Sequence, residues 1–356
     1  ITYNDGSLQP SAPVGRNLII NGDMAIDQRN AGASATSNGS VYTVDRFEFQ
    51  MSSVTNVQTY QQVTDAPAGF NKSLKITNNS TTQATAAGVL CTPRQKIEGL
   101  NTAYLNWGTS DAQTVTVSFW VKASVTGTYP VALTNNNFSR SFVTNYTVSV
   151  ANTWEYKTVT IAGDTSGTWT VDTTTGINVL FSLDTGSTYQ TTAGSWQAGN
   201  YRGTSSDVHF LANASATWQI TGVQLEANTT ATPFENLQYT TQLQLCQRYL
   251  PAFSGISNWF GFGIIINTSR LFSTATYKVP TRVAPTGLVI SSASHFQCGD
   301  MIATSNLASA ISISSSGTDS ALLDVTSSVA NLTAARPGVV VATSASALLY
   351  FTGCEL

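Results

Sequence analysis

The sequence predicts an all-β chain: a large two-sheet domain, one short helix, and a second, smaller β-sandwich. Three observations carry this. Short apolar runs, alternating or continuous, recur between Gly, Asn and Thr punctuation along most of the chain. Helical periodicity is confined to one segment, Tyr239–Leu250. The 356 residues suffice for two domains of ordinary size, each with its own core.

In chain order, residues 1–16 hold Pro10, Pro13 and few apolar side chains, and read as an extended N-terminal arm. Gly15–Asp27 (GRNLIINGDMAID) follows as the expected first strand, with Asn21-Gly22-Asp23 as a turn. Tyr42–Met51 (YTVDRFEFQM) alternates Phe47, Phe49 and Met51 with Arg46, Glu48 and Gln50, the period of a half-buried strand. Further strands are expected at Ser73–Thr77, Ala87–Cys91, Val115–Lys122, Tyr129–Leu133, Tyr146–Val150, Glu155–Ile161, Ile177–Leu183, Val208–Leu211 and Thr217–Glu226. Between them, Thr134–Arg140 and Asp184–Arg202 are long polar loops, where a rigid sandwich usually carries its binding groups. The first domain is thus expected over 17–237. A helix over 238–251 places Leu243, Cys246 and Tyr249 or Leu250 on one stripe, with Gln242, Gln244 and Gln247 elsewhere, and Pro251 stops it. Residues 252–356 return to strands near Phe260–Thr268, Leu271–Val279, Gly287–Ser291, Ala310–Ser314, Ala321–Val325 and Leu348–Cys354.

Composition limits the partners. Charged residues make up 10% of the chain, against roughly 25% in an average domain, and Ser, Thr, Asn, Gln and Gly take their place. Such a surface loses little hydration energy when subunits pack, which suits an extracellular or virion surface protein. A net charge of −3 with 16 scattered Lys and Arg gives no footprint for nucleic acid. The longest apolar run, Trp259–Ile266, is strand length and too short to span a bilayer. The start, ITYNDGSLQP, lacks the basic and apolar regions of a signal peptide. Cys91, Cys246, Cys298 and Cys354 show no metal-ligand spacing and read as small buried hydrophobes.

Five motifs in order carry a family resemblance: Asn17–Asp23 (NLIINGD), Tyr42–Phe47 (YTVDRF), Ser118–Ala123 (SFWVKA), Thr153-Trp154-Glu155 with Val159–Ile161, and Ile220–Glu226 (ITGVQLE). Their succession resembles a carbohydrate-binding-module type of jelly roll. With Thr232–Glu235 (TPFE) and Leu245–Tyr249 (LCQRY), the stretch 17–250 is similar to tail-fibre and other appendage proteins of tailed bacteriophages. Leu250 stands where the usual fibre helix has a second aromatic. The resemblance implies a jelly-roll β-sandwich in a virion appendage, a tail or head fibre or spike. It also implies a homotrimer, joined to other virion proteins through the arm, assembled in the host cytoplasm and contacting host-surface polysaccharide. The alternative is a secreted glycan-binding module of a carbohydrate-active protein.

Candidate site residues follow from chemistry. Sugars lay their C–H faces on flat aromatics while amides and charged groups bond the hydroxyls. Trp120 is out of phase with Val117, Phe119 and Val121, so it faces away from the core, toward a ligand or a covering surface. Phe138, Arg140, Tyr189, Trp196 and Tyr201 sit in the long loops and complete the expected ligand-binding set. The resemblance further implies a structural calcium ion at Asn21, Asp23 and Glu226; an Asx turn and a surface carboxylate explain the same residues. No catalysis is expected. His209 and His295 are the two histidines and lie in apolar runs, no nucleophile or nucleotide motif is present, and Asp164, Asp172, Asp184 and Asp207 are an ordinary scatter of loop carboxylates.

Overall fold

Phe47, Phe49 and Met51 are buried along one side of their strand while Glu48 and Gln50 are half-buried on the other, and this alternation builds most of the chain. The computed structural model describes residues 15–79, 82–256, 259–300 and 304–356. The arm expected over 1–16 lies outside them except for Gly15 and Arg16. The chain divides into two compact units, one reaching to Tyr239 and one spanning Thr240–Glu355.

The first unit contains β1 (Ala35–Ser37), β2 (Val41–Tyr42), β3 (Phe47–Ser52), β4 (Gln58–Val63), β5 (Ser73–Asn78), β6 (Leu90–Glu98) and β7 (Val115–Ala123). It continues through β8 (Gly127–Thr134), β9 (Arg140–Val148), β10 (Glu155–Ile161), β11 (Thr175–Phe181), β12 (Asp184–Thr185), β13 (Trp196–Ala198) and β14 (Thr217–Glu226). One antiparallel sheet has the order β1-β4-β5-β14-β7-β10; the other runs β13-β9-β8-β11-β6-β3-β2, with β12 paired to β6. The two pack as a jelly-roll β-sandwich. Val115, Val117, Phe119 and Val121 of β7 face Tyr129, Val131, Val179 and Phe181 of the opposite sheet in one buried core. Phe119 meets Phe181 and Tyr146 edge-on at centroid distances of 5.1 and 5.0 Å. Within this core the buried Trp218 indole N–H donates to the Tyr146 hydroxyl at 3.1 Å.

In the second unit, α1 (Tyr239–Gln247) is followed by β15 (Ala252–Ser254), β16 (Trp259–Asn267), β17 (Arg270–Thr276), β18 (Gly287–Ile290), β19 (Phe296–Asp300), β20 (Ser305–Ser316), β21 (Ser320–Ser327), β22 (Pro337–Ala342) and β23 (Leu348–Thr352). Where the sequence suggests two open sheets, β16-β17-β21-β20-β19-β22 close into a barrel, with β15-β23-β18 as a three-stranded sheet. Both share one core: Leu349 and Phe351 of β23 pack with Phe260, Leu271, Phe296 and Leu323 of the barrel. Closure satisfies the strand edges that a sheet this small would otherwise expose.

Several expected elements differ. Gly15–Asp27 forms turns and extended chain with no strand. Asn21 and Met24 take positive φ (61° and 59°), which breaks the ladder while Leu18, Ile19, Met24 and Ile26 still enter the core. Tyr42–Met51 is interrupted at Arg46 (φ 72°), giving β2 and β3. Val208–Leu211 gives way to a 3-10 turn at Phe210–Ala212. Most of β6 and β9 lie outside the expected strands because polar residues on both sides are buried, and β4 does because its buried side carries Gln58 and Gln62 beside Tyr60. In α1 Cys246 is buried as expected and Leu243 is half-buried, while Gln242 and Gln247 are buried beside them, so the covered stripe is wider than expected; Tyr249 and Leu250, just past the helix, are buried too. All four cysteines are buried.

Candidate functional site

Trp120 sits in the middle of β7 with its ring on the outer face of the six-stranded sheet, half-buried. Across the ladder it is opposite Tyr156 of β10 and Thr221 of β14. The Trp120 and Tyr156 rings meet at 5.4 Å and 48°. Just past Thr221, β14 shifts register, and Gly222 (φ 61°) lets the backbone turn. A Cβ there would come within 2.6 Å of Phe70 Cζ, so only glycine admits the Phe70 ring. Phe70 in turn stands edge-on to Phe234 at 5.1 Å.

These rings line a cleft of about 430 Å³ whose remaining wall is Ser118, Ala231, Thr232 and Pro233. The wall is tied to the sheet by side chains of β14. Glu226 accepts the Thr232 backbone N–H (2.8 Å) and hydroxyl (2.7 Å), and Gln224 Oε1 accepts the Glu235 N–H (2.9 Å). Farther along the same face, Lys122 lies 5.6 Å from the Trp154 ring centre and donates to Asp65. Asp65 also accepts from the Trp154 indole (3.2 Å) and from Gln219 (3.2 Å). The hydrogen bond from Lys122 holds the Asp65 carboxyl below its ordinary range. The face therefore offers apolar rings and a charged, hydrogen-bonding cluster side by side, the two chemistries a sugar needs.

The other expected ligand residues lie away from this cleft, each with contacts of its own. Arg140 is held by Asp164, whose side chain is 2% exposed, through paired 2.7 Å bonds, and this pairing raises its pKa. Trp196 belongs to an edge-on cluster with Trp107, Trp169 and Phe142, and its indole donates to the Ala162 carbonyl at 2.8 Å. Phe138 lies 4.4 Å beneath the buried Arg202 guanidinium, with Arg94 at 5.8 Å. Tyr189 is 5.8 Å from the same guanidinium, whose pKa burial lowers to about 10. Tyr201 packs on Ala132, Val143 and Leu180. The long loops thus cover the outer face of the larger sheet and stabilise it.

The calcium expectation does not fit the donor set. Asn21 is buried, donating to the Ile26 and Asp45 carbonyls and accepting the Ile26 N–H. Asp23 accepts the Ala25 N–H, and burial raises its pKa, which disfavours the anion an ion would need. Glu226 is saturated by Gln224 and Thr232. Among the described residues, no group of three or more His, Cys, Asp or Glu side chains converges.

One constellation invites a catalytic reading. Thr85 Oγ1 and Asp184 Oδ1 lie 3.0 and 3.1 Å from His209. Both address Nδ1, whereas a nucleophile–base–acid relay needs the nucleophile and the carboxylate on opposite ring nitrogens. Asp184 also accepts the Thr85 hydroxyl (2.7 Å) and the Leu211 N–H (3.0 Å), which makes it a loop tie.

The residues of this face that sequence reasoning missed are Phe70, Tyr156 and Phe234 in the cleft and Trp154 beside it. Trp154 and Tyr156 had a signal, because both are out of phase with Val159 and Ile161 in and just before β10. Phe70 and Phe234 had none, since they lie in loops, and Phe70 reaches the cleft only because residue 222 is glycine.

No family model and no curated protein matches the chain. Solved structures similar to it include the enzymatically active domain of tailspike protein 4 of bacteriophage CBA120, at 10% identity and a TM-score of 0.31, covering 60% of this chain and 22% of that one. A putative sugar binding protein from Bacteroides thetaiotaomicron is 14% identical with a TM-score of 0.33, covering 60% and 100%. The tandem CBM22 domain of Paenibacillus barcinonensis Xyn10C is 10% identical with a TM-score of 0.28, covering 96% and 99%. The chain spans about a fifth of the tailspike domain it matches. At such identities and scores no function passes from these proteins to this chain.

Proposed function

We propose that the first unit is a non-catalytic glycan-binding sandwich that holds sugar in the cleft of Phe70, Trp120, Tyr156 and Phe234. The observation that supports this is the cleft itself: four aromatic rings around a wall of small and hydroxyl side chains, on a sheet face whose next residues are Lys122, Asp65 and Gln219. Screening the intact chain on an array of bacterial and plant polysaccharides, followed by titration of any hit against Trp120→Ala, tests it. A hit whose affinity is unchanged in the variant, or no hit at all, sinks the reading.

A second reading places the protein on a virion as a trimeric appendage. The supporting observation is a row of exposed apolar side chains on β16, Trp259, Phe262, Ile264 and Ile266, at 55, 61, 48 and 41% exposure. An uncovered patch of this kind marks an association surface. Native mass measurement tests it; a monomer at micromolar concentration removes the support.

A further inference from the structure

The aromatic cleft is on the smaller sheet. On the other side of the sandwich, the loop segments 187–193 and 204–206 lie beside Asn145 of β9 and border an open, shallow pocket of about 620 Å³. Its lining is hydroxyl and amide side chains, Asn145, Gln190, Thr192, Thr204, Ser205 and Ser206 among them, with no charged and no aromatic side chain.

The pocket is built by specific ties. Thr191 N–H donates to Gly203 O (2.9 Å), Gln190 Nε2 to Thr185 O (2.8 Å), and Gly194 N–H to Val143 O on β9 (2.8 Å). Gly203 is required where the segments cross, since a Cβ would lie 2.2 Å from Thr185 Oγ1 and 2.4 Å from Asp207 Oδ2. Walls fixed in this way lose little further freedom when something binds.

The direction of the hydrogen bonds sets the chemistry. Buried Asp207 accepts the Thr204 N–H (2.7 Å) and hydroxyl (2.6 Å). A hydroxyl has one proton, and Thr204 has given it to the carboxylate. Its lone pairs therefore receive Asn145 Nδ2 (3.2 Å) and the Ser206 hydroxyl (3.1 Å). That fixes the Asn145 amide with Oδ1 turned the other way, and this buried oxygen has no partner. Ser206, having spent its proton, also presents lone pairs. The pocket thus presents neutral hydroxyl and amide groups close to the Asp207 carboxylate, which favours neutral O–H donors and disfavours anions.

We propose that this pocket is a second, independent site for a neutral polyhydroxyl ligand, a hexose unit free or within a glycan, held by hydrogen bonds without ring stacking. The pocket does not depend on the aromatic cleft. The test uses backbone-amide NMR of the intact chain with glucose, galactose and mannose against glucuronate and galacturonate. Neutral hexoses are expected to shift the amides of 187–193 and 204–206, with the uronates weaker by roughly tenfold or more. Thr192→Trp or, should that variant misfold, Ser205→Trp plugs the pocket and removes these shifts, whereas Tyr156→Ala leaves them. Uronates binding as well as the neutral sugars overturns the proposal, as do shifts confined to the aromatic cleft, or none. Pocket shifts without cleft binding leave this site standing and remove the cleft reading; the reverse result does the opposite.

Discussion

Replacing Tyr156 with alanine separates ring stacking from every other role the cleft residues have. Tyr156 is 44% exposed on the outer face of β10, so it contributes little to the core. A tyrosine offers about 200 Å² when fully buried, which leaves roughly 90 Å² free for a sugar face. At ~25 cal/mol per Å² that surface is worth about 2 kcal/mol, or a loss of about thirtyfold in affinity for Tyr156→Ala. Tyr156→Phe keeps the ring and is expected to bind within about threefold of the parent if stacking dominates. Isothermal titration with the polysaccharide found on the array reads both, with thermal melting as the folding control. If Tyr156→Ala binds as tightly as the parent, or if Tyr156→Phe fails as badly as alanine, stacking on this ring is not how the cleft works.

Other outcomes follow from the same contacts. Gly222→Ala is expected to destabilise the first unit by about 1–3 kcal/mol in chemical denaturation and to weaken glycan binding, because the added methyl displaces Phe70. Arg140→Ala strands the buried Asp164 carboxylate and is expected to lose about 3 kcal/mol of stability with glycan affinity unchanged; altered affinity in a folded variant would return Arg140 to the ligand site. Trp196→Ala is expected to lose about 3–5 kcal/mol by emptying the indole cluster, read as a lowered melting temperature. Asp45 is buried, and burial raises its pKa above the ordinary 3.8, with Arg29 opposing. The folded state then binds its proton more tightly than the unfolded state, so this group's contribution is present below 3.8 and lost as pH rises through the raised value. The melting-temperature difference between parent and Asp45→Asn is accordingly expected to move in the parent's favour as pH falls from neutral toward 3.8; movement the other way refutes the assignment.

The sandwich was legible wherever one side of a strand is apolar and the other is not. β7 and β3 carry that alternation openly, and Trp120 was correctly placed outside the core by phase alone. Strands β6 and β9 were blurred because Thr92, Arg94, Gln95 and Ser141 are buried too, under loops that sequence reasoning left open to solvent. The same covering accounts for the surroundings of the loop aromatics. Phe138, Tyr189 and Tyr201 have the composition of a binding loop, and nothing in local sequence distinguishes a ring that awaits a sugar from one that lies under Arg202. The opening stretch fails as a strand for a different reason: its apolar residues do enter the core, but Asn21 and Met24 turn the backbone at positive φ, which no apolar pattern records. The cleft needed a long-range meeting of Phe70, Gly222 and Phe234, which no window of neighbouring residues contains.

The closed barrel limits how the exposed row on β16 can associate. β16 is bonded to β17 on one side and β22 on the other, so its amides and carbonyls are already spent within the barrel. A neighbour can be joined there only through Trp259, Phe262, Ile264 and Ile266, side chain against side chain. Contact of that kind ends when the patch is covered, unlike strand addition, which regenerates a free edge with each new copy. The barrel therefore steers its stickiest surface toward assemblies of finite size and away from open-ended growth.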